Sequence, residues 1–466
     1  MDFRRTTVAA LAADVSAGHL SARDLVQAAL DRIEALDPQI NAFVAIDGEA
    51  ALLDAAGIDE RIASGEVIGP LAGIPIGVKD LEDARGFRTT KGSAVYADAP
   101  VATADSPLVE RLRAAGCIVV GKTNTPELGH KPDTTNELFG STRNPWNLER
   151  SAGGSSGGSA AALAAGLVPL CTGSDGGGSI RIPASVCGLT GMKTSLGRVP
   201  MGGPSPPGWA DLSVRGPMAR TARDITLALD AVVGPEATDL RSLPMPDASW
   251  TRSLEGLGAP RRVGWAPTLG YAEVDREVAD ICERAVERLA GLGTAVDEVD
   301  PVFPEDPVRP WLTLAMAATE RELRHLRGTD AWQQLDRRHT AAIDAFGRPA
   351  TGADVFAALD ACHLANLRLV ELFHHVPLLL TPTVAGQPGP PGGDGTVDGV
   401  ATPAWVAFTY PFNMTRSPAG TVCVGYTADG MPVGLQVVGP QHADVAVLRA
   451  LALLEDTMAL DPVAPI

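Results

Sequence analysis

The chain has 466 residues, of which 45% are hydrophobic and 20% charged, a balance that is typical of a globular protein and argues against intrinsic disorder. The formal net charge is −18, with no local Lys/Arg-rich block, so the surface should repel nucleic acid phosphates and anionic membranes. Six cysteines occur without a CxxC pair, which predicts reduced, buried thiols and gives no support to a zinc site.

The beginning of the chain lacks the apolar segment and small-residue cleavage site of a signal peptide. The longest apolar stretch, near residues 160–171, contains Gly166 and Pro169. It is shorter than the ~18–20 residues needed to cross a bilayer. We therefore expect a cytoplasmic protein that interacts with neither membranes nor nucleic acid.

The first ~65 residues have a helical pattern, with a capping signal at Ser21 followed by apolar residues at helical spacing. Residues 71–80 form an apolar run broken by Gly and Pro, which indicates a buried strand and its turn. Residues 106–115 predict a helix and residues 117–120 a strand. This succession is typical of α/β layering.

The rest of the chain continues this alternation without an internal repeat. The predicted elements are helices at 220–234 and 274–293, a polar helical segment at about 305–365, a strand at 376–380, a Gly/Pro loop at 386–399, strands at 420–426 and 432–438, and a closing helix at 443–454. We predict one α/β domain over residues 1–466. Its parts are a helical N-terminal arm (about 1–65), a core (about 66–235 and 370–466) and a helical pocket-forming region (about 270–365).

A Gly/Ser-rich block at residues 151–184 allows several interpretations. A flexible linker does not usually run into Ala-rich helix formers and a Thr-Gly-Ser-Asp-Gly turn. A phosphate-binding loop would need a GxxxxGK[ST] or GxGxxG pattern, which this block lacks. Glycines that only permit close backbone packing, and a catalytic turn, both remain open.

The catalytic interpretation rests on the sequence Gly-Gly-Gly-Ser at 176–179. A serine that attacks an amide needs a base and preorganised oxyanion donors, and a glycine turn exposes successive backbone N–H groups. The eight histidines give no signal of a triad, and no GxSxG elbow is present. Lysine is the other available base if burial makes it neutral, and Lys79 lies in a dense apolar segment. A surface lysine at a strand end is an equally good interpretation of that local sequence.

Several ordered motifs together resemble the amidase signature family over most of the chain. They are GIPIGVKD (73–80), GKTNTPELG (121–129), LFGSTRNPWN (138–147), GGSSGGSAAALAAG with GSDGGGSIRIPAS, GLTGMKTSLGRVP (188–200), GPMARTARD (216–224), LLTPT (379–383), and PFNMTRSPAG with DGMPVGLQVVGP (429–440). The resemblance implies an α/β amidase-signature fold. Its large, mixed central β-sheet would carry helices on both faces.

The resemblance also implies the roles of individual residues. Ser179 would be the acyl-forming nucleophile and Lys79 the base. Ser155, 24 positions before the nucleophile, would sit on a cis peptide bond and relay protons between them. The oxyanion donors would be the backbone N–H groups of Gly176, Gly177, Gly178 and Ser179. The chemistry requires neither a metal nor another cofactor. We expect Asp175 and Arg181 to form an ion pair that shapes the turn.

The substrate side of the site is less defined. Gly129, His130 and Ser156 are candidate substrate contacts, and Trp209 and Trp311 either line the pocket or belong to the core. Many family members have Thr in place of Gly176. Because an oxyanion donor uses the backbone, this difference should affect turn rigidity and substrate preference rather than activity.

The motifs SDGGGSIRIPA and KTSLGRVP are similar to those of broad-specificity amidases and of nylon-oligomer (6-aminohexanoate cyclic dimer) or aryl-amide hydrolases. This similarity implies cleavage of a linear or cyclic small-molecule amide through a seryl acyl-enzyme; the same acyl chemistry serves esters. One alternative is the A-type glutaminase subunit of a tRNA-dependent amidotransferase, although Leu196 and Pro200 replace residues usual there. The other is a non-catalytic binding protein on this scaffold. Family members often form homodimers, so a homodimer is a candidate assembly.

Overall fold

The computed structural model describes residues 1–204, 206, 208–461 and 463–466. Its strands in chain order are β1 (Phe43–Ile46), β2 (Pro75–Lys79), β3 (Ile118–Thr123), β4 (Thr135–Asn136), β5 (Gly140–Ser141), β6 (Arg143–Asn144), β7 (Asn147–Ser151), β8 (Leu170–Asp175), β9 (Gly191–Lys193), β10 (Val214–Ala219), β11 (Arg262–Trp265), β12 (Ala295–Glu298), β13 (Leu379–Pro382), β14 (Thr396–Val397), β15 (Val400–Ala401), β16 (Ala419–Tyr426) and β17 (Pro432–Val438).

The α-helices surround these strands. In chain order they are α1 (Val8–Ser16), α2 (Ala22–Ile40), α3 (Gly48–Ala63), α4 (Pro107–Ala114), α5 (Gly157–Ala164), α6 (Arg181–Val186), α7 (Ala222–Val232), α8 (Trp250–Ser253), α9 (Arg276–Gly291), α10 (Val308–Leu323), α11 (Asp330–Gln333), α12 (Arg337–Ala342), α13 (Gly352–His375), α14 (Pro411–Met414) and α15 (Asp444–Met458). None of the helices in the described ranges has the length and apolar character needed to span a membrane.

The central sheet consists of two hydrogen-bonded parts. One has the strand order β1-β3-β2-β8-β10 and the other β12-β11-β13-β17-β16-β9. The two parts meet between β10 and β9, where the Thr190 N–H donates to the Arg220 carbonyl at 3.3 Å. Strand β2 is parallel to β3 and β8, whereas β10 is antiparallel to β8. The predicted mixed sheet is confirmed, but its hydrogen-bond ladder is interrupted at this junction.

The local signals in the sequence explain most of these elements. Strand β2 is buried along its whole length, as expected for a parallel strand covered on both faces. The Ser21 hydroxyl caps α2 by accepting the Asp24 N–H at 3.1 Å. The elements predicted from residue 106 to 120 and from 420 to 454 are present with small shifts of their ends. Periodicity and capping therefore determined the elements that build the core.

The N-terminal arm is not purely helical as predicted. Strand β1 lies between α2 and α3 and pairs antiparallel with β3, so it forms the edge of the sheet. A strand of four residues is too short to produce a clear alternating pattern in a segment with long helical periods on both sides. The arm thus contributes one strand, β1, to the sheet.

The segment between β12 and β13 contains helices α10 to α13. Helix α10 contacts α13 and the π-helical turn Ile343–Gly347. Parts of α10 face a cavity at the edge of the sheet, where Thr319 and Leu323 line it. The predicted helical segment therefore supplies one wall of that cavity.

Candidate active site

The candidate catalytic residues meet at one edge of the sheet. Lys79 is the last residue of β2 and Asp175 the last residue of β8. Because these strands are parallel neighbours, their carboxyl ends lie side by side. Helix α5 begins directly after Ser155 and Ser156, and α6 begins soon after Ser179. Two strand ends and two helix beginnings thus bring together residues up to 100 positions apart.

The Lys79 side chain is fully buried and is surrounded by hydroxyl groups. Its Nζ lies 2.8 Å from Oγ of Ser155, 2.8 Å from Oγ of Ser156 and 3.0 Å from Oγ of Ser174. Burial lowers the pKa of Lys79 to about 7, although Glu82 and Asp175 act in the opposite direction. The amine can therefore exist in its neutral form near neutral pH and accept a proton from a neighbouring hydroxyl.

Ser155 lies between this amine and the cavity. The Gly154–Ser155 peptide bond is cis, as the family resemblance implied. Ser155 is buried, yet it lines the same cavity as Ser179. An ideal Cβ on Gly129 would lie 3.3 Å from the Ser155 Oγ, so a glycine there leaves the hydroxyl accessible.

The backbone of residues 176–179 forms a tight turn, and its N–H groups differ in whether they already have a hydrogen-bond acceptor. The Gly178 N–H donates to Oδ1 of Asp175 at 2.8 Å. Gly178 was predicted to be an oxyanion donor; its N–H already has the buried carboxylate as an acceptor, which favours the other N–H groups of the turn. Within the described part of the chain, the N–H groups of Gly176, Gly177 and Ser179 have no hydrogen-bond acceptor. These three remain candidate oxyanion donors.

A buried ion pair holds the turn. The Arg181 guanidinium binds Asp175 through two hydrogen bonds of 2.9 Å, and both side chains are inaccessible to solvent. The Asn413 amide also donates to the Asp175 carboxylate at 2.9 Å. The Arg181 charge lowers the pKa of Asp175 far enough to overcome the effect of burial. The predicted structural ion pair is thus confirmed.

Side chains pack directly against the backbone of the glycines at 176–178, where a Cβ would otherwise lie. Cε3 of Trp209 lies 2.7 Å from an ideal Cβ on Gly176, and Cζ2 of Trp311 lies 2.4 Å from one on Gly177. The Trp311 indole N–H also donates to the Gly176 carbonyl at 3.0 Å. A threonine in place of Gly176 would bring its Cβ within 2.7 Å of Trp209, so a side chain at this position is incompatible with the indole where it lies.

A cavity of about 530 Å³ opens in front of Ser179 and Ser155. Gly129 lines it, as predicted, whereas His130 and Ser156 are absent from its described lining. His130 instead stacks on His339 with ring centroids 3.9 Å apart, and burial lowers its pKa to about 4. The Ser156 Oγ contacts Lys79. The contacts of His130 and Ser156 are thus with His339 and Lys79, and their role as substrate contacts stays a prediction.

Other residues of the site were not predicted. Ser174 lines the cavity and contacts Lys79, and the two-residue alternation along β8 places it on the same face as Thr172, which accepts the Lys79 N–H at 2.9 Å. That alternation was a usable signal. Glu82 lies 2.6 Å from Arg215, and both line the cavity wall. Among the described residues, no group of three or more His, Cys, Asp or Glu side chains could hold a metal ion.

The sequence model of the amidase family matches residues 24–448, which is most of the chain. The chain belongs to the amidase signature family. It is 38% identical over 460 residues to an acylamidase of Rhodococcus erythropolis, covering 96% of this chain and 94% of that protein. It is 34% identical over 464 residues to a subunit of the glutamyl-tRNA(Gln) amidotransferase of Chloroflexus aggregans, covering 95% and 94% of the two chains.

Solved structures of family members have the same architecture. A bacterial aryl acylamidase superposes with a TM-score of 0.91 at 29% identity and covers 99% of both chains. A substrate complex of 6-aminohexanoate cyclic dimer hydrolase superposes with a TM-score of 0.86 at 30% identity, covering 99% of this chain and 98% of that one. The predicted family, fold and general activity are confirmed: this family member hydrolyses amide bonds.

Proposed function

We propose that the chain is a stand-alone serine amidase that cleaves small acyl amides through an acyl-enzyme on Ser179. The observation that carries this proposal is the buried Lys79 amine, with its pKa lowered to about 7, 2.8 Å from the Ser155 hydroxyl. Ser155 and Ser179 line one cavity. This arrangement supplies a neutral base next to a relay hydroxyl, which is what an unactivated serine needs.

The proposed reaction has two halves. In the first, the Ser179 Oγ attacks the amide carbon, its proton passes to Ser155, and the Ser155 proton passes to Lys79. The negative oxygen is held by the N–H groups of Gly176, Gly177 and Ser179. The C–N bond then breaks, Ser155 protonates the leaving nitrogen, and Lys79 returns its proton to Ser155. In the second half, water attacks the ester by the same route and releases the carboxylic acid.

The relatives support small acyl and aryl amides as substrates. The protein that is 38% identical is called an acylamidase, and the structure with a TM-score of 0.91 is an aryl acylamidase. The cyclic dimer hydrolase supports cyclic amides as a further class to test. The amidotransferase relative is less similar, at 34% identity, and Leu196 and Pro200 argue against that alternative.

The assay for this proposal is hydrolysis of aliphatic amides, aryl amides and cyclic amides by the wild type, Ser179→Ala and Lys79→Ala. We expect each variant to lose about 10³-fold or more in kcat/KM. Ser64→Ala, which removes an exposed serine at the end of α3, is the matched control and should behave like the wild type. Unchanged hydrolysis by Lys79→Ala at neutral pH would contradict the proton path.

Covalent labelling separates the alternatives. A fluorophosphonate should label the wild type once, at Ser179, and should leave Ser179→Ala unlabelled. No labelling of the wild type would favour a non-catalytic binding protein. Ammonia release from glutamine only in the presence of a second protein chain would favour the amidotransferase alternative.

Two further parts of the proposal concern the cell and the assembly. The predicted cytoplasmic location is supported by six free cysteines, five of them buried. A homodimer is supported by α13, which exposes a large part of five apolar side chains: Phe356, Leu359, Leu364, Leu367 and Val370. Exposed apolar faces of this kind are often buried between subunits.

A further inference from the structure

A second cavity lies beside the active-site cavity and has no role in the proposed reaction. Its volume is about 710 Å³, compared with about 530 Å³ for the active-site cavity. One wall of it is apolar and consists of five residues on α10 and α13: Leu314, Ala317, Ala318, Val355 and Leu359. At its rim, Asp211 is paired with both Arg241 and Arg416. Polar side chains, among them His363, Asn366 and Thr415, complete the lining, so the cavity combines an apolar wall with polar groups.

Trp209 stands between the two cavities. Among the described residues, it is the only one that lines both of them. Its Cε3 lies 2.7 Å from an ideal Cβ on Gly176, and the ring packs edge-on against Trp311 with centroids 5.8 Å apart. The indole thus abuts the catalytic turn on one side and the second cavity on the other.

The direction of a bound substrate follows from the proposed chemistry. The leaving nitrogen must lie next to Ser155, which protonates it, and the cavity wall on that side contains Leu81 and Gly129. The oxyanion must lie at Gly176 and Gly177. The remaining substituent of the reacting carbon is the acyl chain, which must occupy another part of the cavity, and Trp209 lies in the cavity lining against Gly176.

We propose that Trp209 limits the length of the acyl chain by closing the active-site cavity off from the second cavity. This inference rests on the proposed function, because it uses the acyl-enzyme geometry at Ser179. In the wild type, a short acyl group ends against the indole. Removal of the indole joins the cavities, so a long acyl chain can extend along the apolar wall formed by α10 and α13.

The experiment compares p-nitroanilides of acetic, butyric, hexanoic and decanoic acid. We expect the wild type to prefer the short acyl groups. Trp209→Ala should raise kcat/KM for the decanoyl substrate relative to the acetyl substrate by about tenfold or more, because each buried methylene contributes roughly threefold to fourfold. Trp209→Leu, which keeps an apolar side chain against Gly176, provides a second, milder variant in case Trp209→Ala does not fold.

A blocking substitution provides the control. Ala318 lines the second cavity but not the active-site cavity. Ala318→Trp should cancel the gain when it is combined with Trp209→Ala, and alone it should leave the chain-length profile of the wild type unchanged. An unchanged profile in both folded Trp209 variants, or a gain that Ala318→Trp does not cancel, would overturn the proposal.

A measurement that does not depend on amide turnover separates this inference from the proposed function. The ratio of the labelling rates with decyl and ethyl fluorophosphonates should rise in Trp209→Ala by a similar factor. If the wild type is labelled at Ser179 but this ratio is the same in both enzymes, the inference about Trp209 fails and the proposed nucleophile stands. If Ser179 is not labelled in any variant, the proposed function fails, and the inference fails with it.

Discussion

Lys79 determines how the proposed reaction depends on pH. Burial lowers its pKa to about 7, so below that pH the amine is protonated and cannot accept a proton from Ser155. We expect kcat/KM to rise about tenfold per pH unit below pH 7 and to level off above it. A pH–rate profile with an aryl amide tests this. A flat profile from pH 5.5 to 8.5 would contradict a titrating lysine base.

Replacing Lys79 by arginine keeps a positive charge but removes the group that can lose its proton near neutral pH. A guanidinium remains protonated throughout the accessible range, so Lys79→Arg should lose about 10³-fold in kcat/KM with no recovery at alkaline pH. Circular dichroism shows whether the variant is folded. Substantial activity in a folded arginine variant would exclude proton transfer to residue 79.

Gly176 is expected to tolerate no side chain while Trp209 is present. An alanine Cβ would lie 2.7 Å from the indole Cε3, so Gly176→Ala should lower the free energy of unfolding by about 1–3 kcal/mol. Trp209→Leu should relieve most of this loss in the double variant, as measured by urea unfolding. Gly57→Ala is the matched control, because nothing lies within 4 Å of an ideal Cβ there. Equal losses at both glycines would contradict the proposed collision.

For individual residues, the sequence indicated which side chains should meet better than it indicated the contacts around them. The family motifs singled out Lys79, Ser155 and Ser179 as neighbours, whereas the local sequence alone left the role of Lys79 open; their catalytic roles stay predictions. The hydrogen bond from Gly178 to Asp175 could not be predicted, because it depends on how the turn folds over the carboxylate. His130 packs against His339, more than 200 positions away, and no local pattern indicates such a contact.

Among the contacts between elements, the Asp175–Arg181 pair fastens the beginning of α6 to the end of β8. Removing one partner leaves a buried charge without compensation, which typically costs about 3–5 kcal/mol. We expect Asp175→Asn to lose a free energy of unfolding of that size. Arg223→Met is the control, since the Arg223–Asp456 pair is half exposed and should change stability by less than about 1 kcal/mol. Urea unfolding of both variants gives the comparison, and similar small losses would contradict a structural role for the buried pair.

Most elements were predictable because they carry their own signals. The helix α2 has a capping serine, and β2 has a continuous apolar run. Strand β1 lacked such a signal, since it is short and gains its stability from pairing with β3. The interruption between β10 and β9 depends on how two distant strands approach each other, and no property of either strand indicates it.

For the complete protein, we predict that α13 mediates a homodimer. Leu367 is 48% exposed on this helix, next to other exposed apolar side chains. Leu367→Glu should therefore shift the molar mass measured by light scattering from dimer to monomer. Leu53→Glu is the control, because Leu53 is 74% exposed on α3 and stands outside this face. A monomeric wild type, or a dimer that Leu367→Glu leaves intact, would contradict this interface.

The proposed catalytic residues and one wall of the cavity come from different stretches of the chain. Lys79, Ser155 and Ser179 belong to β2 and to the segments that lead into α5 and α6, whereas Thr319 and Leu323 of the cavity wall belong to the helical segment between β12 and β13. Recombination among relatives at the ends of that segment would therefore exchange one cavity wall as a unit and leave Trp209 with the proposed catalytic residues. Chimeras built at these two strands should take the selectivity that depends on this wall from one parent and the limit on acyl length from the other.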